Sequence, residues 1–256
     1  MNRFFCLLPS LVVSAAFFSC QPAGAQESLR VMSYNVRNCR GLDDYHSINV
    51  TRIAGVISNQ APDVVALQEL DRKAKRSMGR DVLQEIASST GMTGTYGEAI
   101  PFQGGSYGVG VLSKTKPLRS YHLPLPGKEE PRTLLVCEFD TFVFFCTHLS
   151  LTAESRQISA EIIKREQAKF SKPVLLAGDF NAEPDSAVMQ EFGKSWKRVS
   201  PLLPTFPADK PDRIIDYIFV SGNTAVQVPE THVVNEPVAS DHRPVFSRVT
   251  FECRGN

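Results

Sequence analysis

Two short stretches hold residue types that can do chemistry together. Gly178-Asp179-Phe180-Asn181-Ala182-Glu183-Pro184 follows the apolar run Val174-Leu175-Leu176-Ala177, which is short enough for a buried strand. An aspartate and an amide two residues apart therefore stand on one face where a strand meets a loop. Ser240-Asp241-His242, near the C-terminus, adds a carboxylate and an imidazole. Together they offer anionic oxygens for a hard cation, a base to orient water, and donors for a phosphoryl oxygen.

The elements that must position these groups show in the apolar periodicity. Leu29–Asn35 alternates and reads as a strand, and Val50, Ile53, Ala54 and Ile57 recur at helical spacing until Pro62. Val64–Leu67 is a second buried strand ending at Gln68-Glu69. Asp81–Thr90 reads as a helix stopped by Gly91. Gly108–Ser113, Thr133–Phe139 and Phe142–Thr147 read as strands. A two-residue turn at Asp140-Thr141 makes the last two a hairpin pairing Val136 with Phe145. Thr152 can cap a long helix to about Phe170 with Ile158, Ile162 and Ile163 inward. A strand at Val174–Ala177, a helix near Ser186–Trp196, and strands Ile214–Val220 and Val245–Phe251 follow. Helices mixed with both crossover and hairpin connections point to an α/β (α+β type) fold: two mixed sheets face to face, helices outside. Several buried strands end in a polar residue: Asn35, Glu69, His148, Asp179. Sites assembled from strand ends on one rim are a common arrangement.

The chain opens Met1-Asn2-Arg3, followed by an apolar stretch from Phe4 to Phe18 and then Ala23-Gly24-Ala25. A basic start, a short apolar core and small residues at the cleavage site describe a secretory signal peptide over residues 1–25. The expectation is export to the periplasm or beyond, with 26–256 as one domain. Ser19-Cys20 allows a second reading, a lipoprotein signal with Cys20 as a lipid anchor at the membrane. Loss of residues 1–25 removes Arg3 and no acid, leaving 27 basic and 27 acidic residues. A tight non-specific nucleic-acid binder is usually clearly basic, so the balance counts against that class. Export permits disulfides among Cys39, Cys137, Cys146 and Cys253, but the spacing selects no pairing and does not suit zinc. No oligomer signal is legible.

Met32-Ser33-Tyr34-Asn35-Val36, Leu67-Gln68-Glu69, Thr147-His148-Leu149, Gly178-Asp179-Phe180-Asn181, Ile215-Asp216-Tyr217-Ile218 and Ser240-Asp241-His242 occur in that order. In this the chain resembles the endonuclease/exonuclease/phosphatase superfamily, from about Arg30 to Phe251. The resemblance implies a four-layer α/β/β/α sandwich of the deoxyribonuclease I type and a metal-dependent phosphoester hydrolase. By the same resemblance, Glu69, Asn35 and Asp241 hold or support Mg²⁺, with Mn²⁺ an alternative. Asp179 activates water, Asn181, His148 and His242 donate to the phosphate, and Asp216 holds His148 in its tautomer. Arg132, at the start of a strand, is a candidate for bidentate contact with a substrate phosphate. Tyr107 directly precedes Gly108-Val109, which departs from the apurinic endonucleases of the superfamily and weakens an abasic-site role.

The attached group is read by loops, and Asp71–Arg80, Glu98–Ser106 and Leu123–Glu130 are the candidates. Asp71–Arg80 carries Arg72, Lys73, Lys75, Arg76 and Arg80, either a contact for an anionic substrate or a solvated loop. The favoured expectation is a phosphodiesterase acting on a phospholipid head group or small diester. A secreted nuclease on DNA or RNA is the alternative within the class, and a catalytically decayed binding module the alternative outside it.

Overall fold

The computed structural model describes residues 26–252. The signal and lipidation expectations for residues 1–25, and Cys253, lie outside the described residues.

Among the described residues, twelve strands form two six-stranded sheets. The first contains β1 (Gln26–Asn35), β2 (Val64–Arg72), β3 (Thr93–Phe102), β4 (Gly105–Ser113), β11 (Val226–Val233) and β12 (Val245–Glu252), in the order β11-β12-β1-β2-β4-β3. The second contains β5 (Arg119–Leu125), β6 (Arg132–Glu138), β7 (Val143–His148), β8 (Val174–Asp179), β9 (Trp196–Arg198) and β10 (Asp216–Ser221), in the order β5-β6-β7-β8-β10-β9. Side chains alternate across each pleat. Val31, Val64, Ala66, Phe144, Cys146, Leu175 and Ala177 therefore meet between the sheets. Met32, Tyr34, Val65 and Leu67 turn outward against α1 (Val50–Gln60) and α2 (Val82–Thr90). On the other side Val143, Phe145, Val174 and Leu176 pack under α3 (Ala153–Gln167) and α4 (Ala187–Ser195). The result is the four-layer α/β/β/α sandwich.

The helices begin where capping chemistry permits. Asn49 accepts from the Arg52 amide at 3.0 Å ahead of α1, and Asp81 from the Gln84 amide at 3.2 Å ahead of α2. Each satisfies a backbone donor that has no partner within the helix. Gly91 ends α2 in the left-handed region at φ +68°, a conformation that glycine adopts without a Cβ penalty. The β6–β7 hairpin pairs Val136 with Phe145, as its turn predicts. Cys39, Cys137 and Cys146 are buried free thiols.

Four strands escape the periodicity: β3, β5, β9 and β11. All are edge strands; β9 is only three residues long, and the other three each carry a proline, Pro101, Pro124 and Pro229. Proline lacks the ladder donor, so it is tolerated at a sheet edge yet reads as a loop residue. β3 also carries Gly97, where a Cβ would lie 2.9 Å from the Leu135 Cβ of the facing sheet. On α3, Ile163 is buried and Ile162 packs against the core, but Ile158 is 47% exposed, contrary to its expected inward position. Small Ser155, Ser159 and Ala160 occupy the buried face instead, letting the helix lie close to its sheet.

Parallel pairs β1/β2 and β7/β8 bring the C-terminal ends of four strands to one rim. The N-terminal ends of β6, β10 and β12 arrive at the same rim because those strands run antiparallel to their neighbours.

Candidate active site

Asn35 ends β1 and is fully buried. Its side-chain Nδ2 donates to Glu69 Oε1 at 3.0 Å and to Asp179 Oδ2 at 3.0 Å, joining one sheet to the other. Its Oδ1 accepts from the Arg37 amide at 3.1 Å, and its carbonyl accepts from Ser240 Oγ at 2.7 Å. Asn35 thus positions two carboxylates through its amide nitrogen.

Glu69 reaches this amide because β2 is irregular there. Regular alternation would put Glu69 on the face of Leu67, among the helices. The β2–β4 register instead shifts between Leu67 and Leu70, and Glu69 has φ +60°. A bulge of this kind re-aims one side chain, and a non-glycine residue in the left-handed region costs about 1–3 kcal/mol. Burial raises the Glu69 carboxyl above its ordinary range, the Asn35 hydrogen bond opposes this, and the nearby charges of Asp241 and Asp179 push it further up.

Asp179 ends β8, and its Oδ1 accepts from the Asn181 amide at 2.9 Å. Asn181, at φ +47°, folds back so that Nδ2 lies 3.0 Å from both His148 Nε2 and the Leu149 carbonyl. Gly178 is required before them: a Cβ there would sit 2.1 Å from the Thr147 carbonyl of β7. Phe180 points away from the rim and packs edge-on against Phe192 and Tyr217 at 5.1 and 5.4 Å. The Asp-Phe-Asn triplet therefore anchors in the core through its middle residue and presents its outer two to the site.

The two histidines have unlike surroundings. His242 Nδ1 lies 2.9 Å from Asp216 Oδ2, and its Nε2 lies 3.7 Å from Asp179 Oδ2. Burial disfavours its charge, but the Asp216 and Asp179 carboxylates outweigh that and lift it to about 10. Thr205 Oγ1 donates to the same Asp216 oxygen at 2.6 Å, and Phe206 lies against the imidazole at 4.8 Å. His148 Nε2 is 3.4 Å from Asp179 Oδ2, while its Nδ1 faces Arg132 Nη1 at 3.3 Å. Burial lowers it, Asp179 opposes, Arg132 adds to the lowering, and it falls to about 3.

Two expectations are corrected here. Asp216 holds His242 and not His148, because β10 delivers Asp216 opposite Asp179 in register, beside the loop that carries His242. Arg132 is not an open fork for a phosphate. Its side chain is 6% exposed, with Nη2 3.1 Å from Glu129 Oε1 and Nη1 2.8 Å from Glu130 Oε1. Asp241 sits at the edge of the site, its Oδ2 3.4 Å from Arg37 Nε. Thr205, Glu129 and Arg37 carry no motif. Only Glu129-Glu130, close before Arg132, left a signal in the order of charges.

In the basic stretch, Arg72 pairs with Asp81, Arg76 with Asp71 and Arg80 with Glu85. Lys73 and Lys75 are exposed and pair with no carboxylate among the described residues.

The donor set suits a divalent cation. Glu69 and Asp179 share one amide, and Asp241 acts electrostatically on Glu69, a gathering of negative charge that a hard, oxygen-preferring ion relieves. Asp179, Asp216 and His242 also each bring one ligand atom within 4.8 Å of the others.

A sandwich with strand-end carboxylates, amides and imidazoles on one rim defines a phosphoester hydrolase of the deoxyribonuclease I-like class. The profile of the Endonuclease/Exonuclease/phosphatase family matches residues 32–242. The chain belongs to that family. It is similar to an endonuclease/exonuclease/phosphatase from Beutenbergia cavernae, with 25% identity over 88% of this chain and 72% of that one, TM-score 0.74. A mannosyl-6-phosphatase from Bacteroides thetaiotaomicron shares the fold at 19% identity, covering 86% and 99%, TM-score 0.70. The human Nocturnin catalytic domain, with bound sulfate, does so at 19% identity, covering 88% and 94%, TM-score 0.64.

Proposed function

We propose that this chain is an exported, Mg²⁺-dependent phosphodiesterase whose catalytic unit spans residues 26–256. The observation that carries this is the Asn35 amide held between Glu69 and Asp179. This supports a reading in which one carboxylate serves the metal and the other the water, within a single hydrogen-bonded unit. Glu69 and Asp241 would hold Mg²⁺, which supplies neutralisation of the phosphoryl oxygens when bound.

Asp179 Oδ2 takes the proton of the attacking water. Its other oxygen is fixed by the Asn181 amide, so the base is oriented before substrate arrives. His242, kept cationic by Asp216, donates from Nε2 as negative charge grows on the phosphoryl group. Asn181 Nδ2 and His148 complete the polar wall on the side of β7. The three paired arginines leave no broad basic footprint, which supports a small or membrane-borne diester over a nucleic acid.

Bis(4-nitrophenyl) phosphate and 4-nitrophenyl phosphate, assayed with Mg²⁺ and with EDTA beside Asp179→Asn, test the reading. The expected result is metal-dependent cleavage of the diester, lost in the variant by about 10²–10⁴-fold. Cleavage of the monoester alone would replace the reading with a phosphatase.

A further inference from the structure

Exposed large apolar side chains are unevenly spread over this molecule. Leu42, Tyr45, Met78, Leu151, Leu202 and Leu203 are 39–75% exposed. All six lie on loops that leave or join strands at the catalytic rim: those after β1, β2 and β7, and the one before β10. The loops at the opposite end hold one comparable residue among the described ones, Leu118. Scattered surface leucines need no explanation, but a set gathered on one face marks a contact surface.

Hydrogen bonds knit three of these loops, with the Asp241 loop, into one rim. Arg40 Nη2 donates to the Arg76 carbonyl at 2.7 Å, and the Leu42 amide to the Val238 carbonyl at 2.8 Å. The Ala208 amide donates to the Asp241 carbonyl at 2.7 Å. The rim thus runs past Asp241 of the site.

Charge on the rim is also uneven. In the corner made by the loops after β1 and β2, Arg40 donates, among the described residues, only to backbone carbonyls and lies over the Tyr45 ring at 5.9 Å. Lys73 and Lys75 flank the same corner without a carboxylate among the described residues. Asp43 nearby is occupied by Arg52 at 2.6 Å. Met78, 75% exposed at a left-handed turn, forms the tip. An apolar tip flanked by free cations matches the interface of an anionic bilayer, where aliphatic and aromatic groups enter the head-group region and lysines meet phosphates. A nucleic acid would use the cations but leave Met78, Leu42 and Leu203 in water.

We infer that the catalytic rim docks on an anionic lipid surface through Met78, Leu42 and Tyr45 with Lys73 and Lys75, so that the scissile phosphate is presented from that surface. The inference rests on the phosphoester chemistry proposed above.

The test uses residues 26–256, which contain every described element and exclude Cys20. Sedimentation is measured with vesicles of phosphatidylcholine alone and of phosphatidylcholine with phosphatidylglycerol. The protein should partition onto the anionic vesicles. Lys73→Ala with Lys75→Ala should weaken this about thirty-fold, and Met78→Ser about tenfold, with circular dichroism unchanged. Wild-type protein that stays in solution, binds both vesicles equally, or is matched by the variants overturns the inference. Bis(4-nitrophenyl) phosphate hydrolysis on the same preparations separates the two readings. Hydrolysis without vesicle binding removes the docking and leaves the chemistry; vesicle binding without hydrolysis does the reverse.

Discussion

Asn35 and Asp179 stand 144 residues apart in the chain and 3.0 Å apart in the fold. They end strands of different sheets, so their contact forms only when the sandwich closes. The same amide nitrogen orients Glu69. Asn35→Ala should therefore uncouple both carboxylates, lowering metal affinity about 10–100-fold. Calorimetric Mg²⁺ or Mn²⁺ titration of the variant checks this, and unchanged affinity would remove Asn35 from the metal's support.

The Asp216–His242 pair makes a claim about coupling. Asp216→Asn removes the charge that holds His242 protonated and should lower turnover about 10²–10⁴-fold. A double-mutant cycle distinguishes its partner. Asp216→Asn should be strongly non-additive with His242→Ala, which already removes what Asp216 serves, and more nearly additive with His148→Ala.

Glu129 ties the loop before β6 to the start of α3. It accepts from Ser150 Oγ at 2.9 Å and the Leu151 amide at 2.8 Å, and it pairs with Arg132. Burial raises its pKa, but these hydrogen bonds, with one from its own amide, outweigh it and hold the group at about 2 against an ordinary 4.5. A depressed folded-state pKa stabilises above the unfolded value and loses that stability as pH falls through the folded one. Thermal melts from pH 6 to pH 2 should show wild-type stability declining from about pH 4.5 downward. Glu129→Gln should lose most of this pH-dependent component and start from a lower melting temperature at pH 6. Parallel curves for both proteins would refute it.

Phe180 couples packing to the site. It is fully buried and touches Phe192, Tyr217 and Phe219. Phe180→Ala should cost about 3–5 kcal/mol in urea unfolding. Because Asp179 and Asn181 flank it, turnover of the folded fraction should fall as well. Full specific activity in the folded variant would show that the triplet is held by other contacts.

Much of this molecule is local in origin. Central strands bury both faces and so appear as short apolar runs; polar residues at their ends mark where the pleat leaves the core. Those two patterns locate Asn35, Glu69, His148, Asp179 and Asn181, and the two-residue turn sets the register of β6 with β7. The edge strands β3, β5 and β11 stay hidden because an edge tolerates the proline and glycine that elsewhere mark a loop. Helix faces are only partly legible: Ile158 has the type of a core residue, but the space beneath α3 goes to serine and alanine.

Side-chain partnership depends on the closed fold. His148 and His242 each have the residue type for a donor. Which one Asp216 holds depends on the β8–β10 pairing and the loop beside it. Arg132 has the form of a phosphate contact until Glu129 and Glu130 are brought against it. Glu69 reaches Asn35 only through a bulge that reverses its expected face. Residue type and spacing are read from neighbours along the chain, while hydrogen bonds, burial and charge are settled by whichever groups the closed fold brings together, from three residues apart for Glu129 and Arg132 to 144 for Asn35 and Asp179.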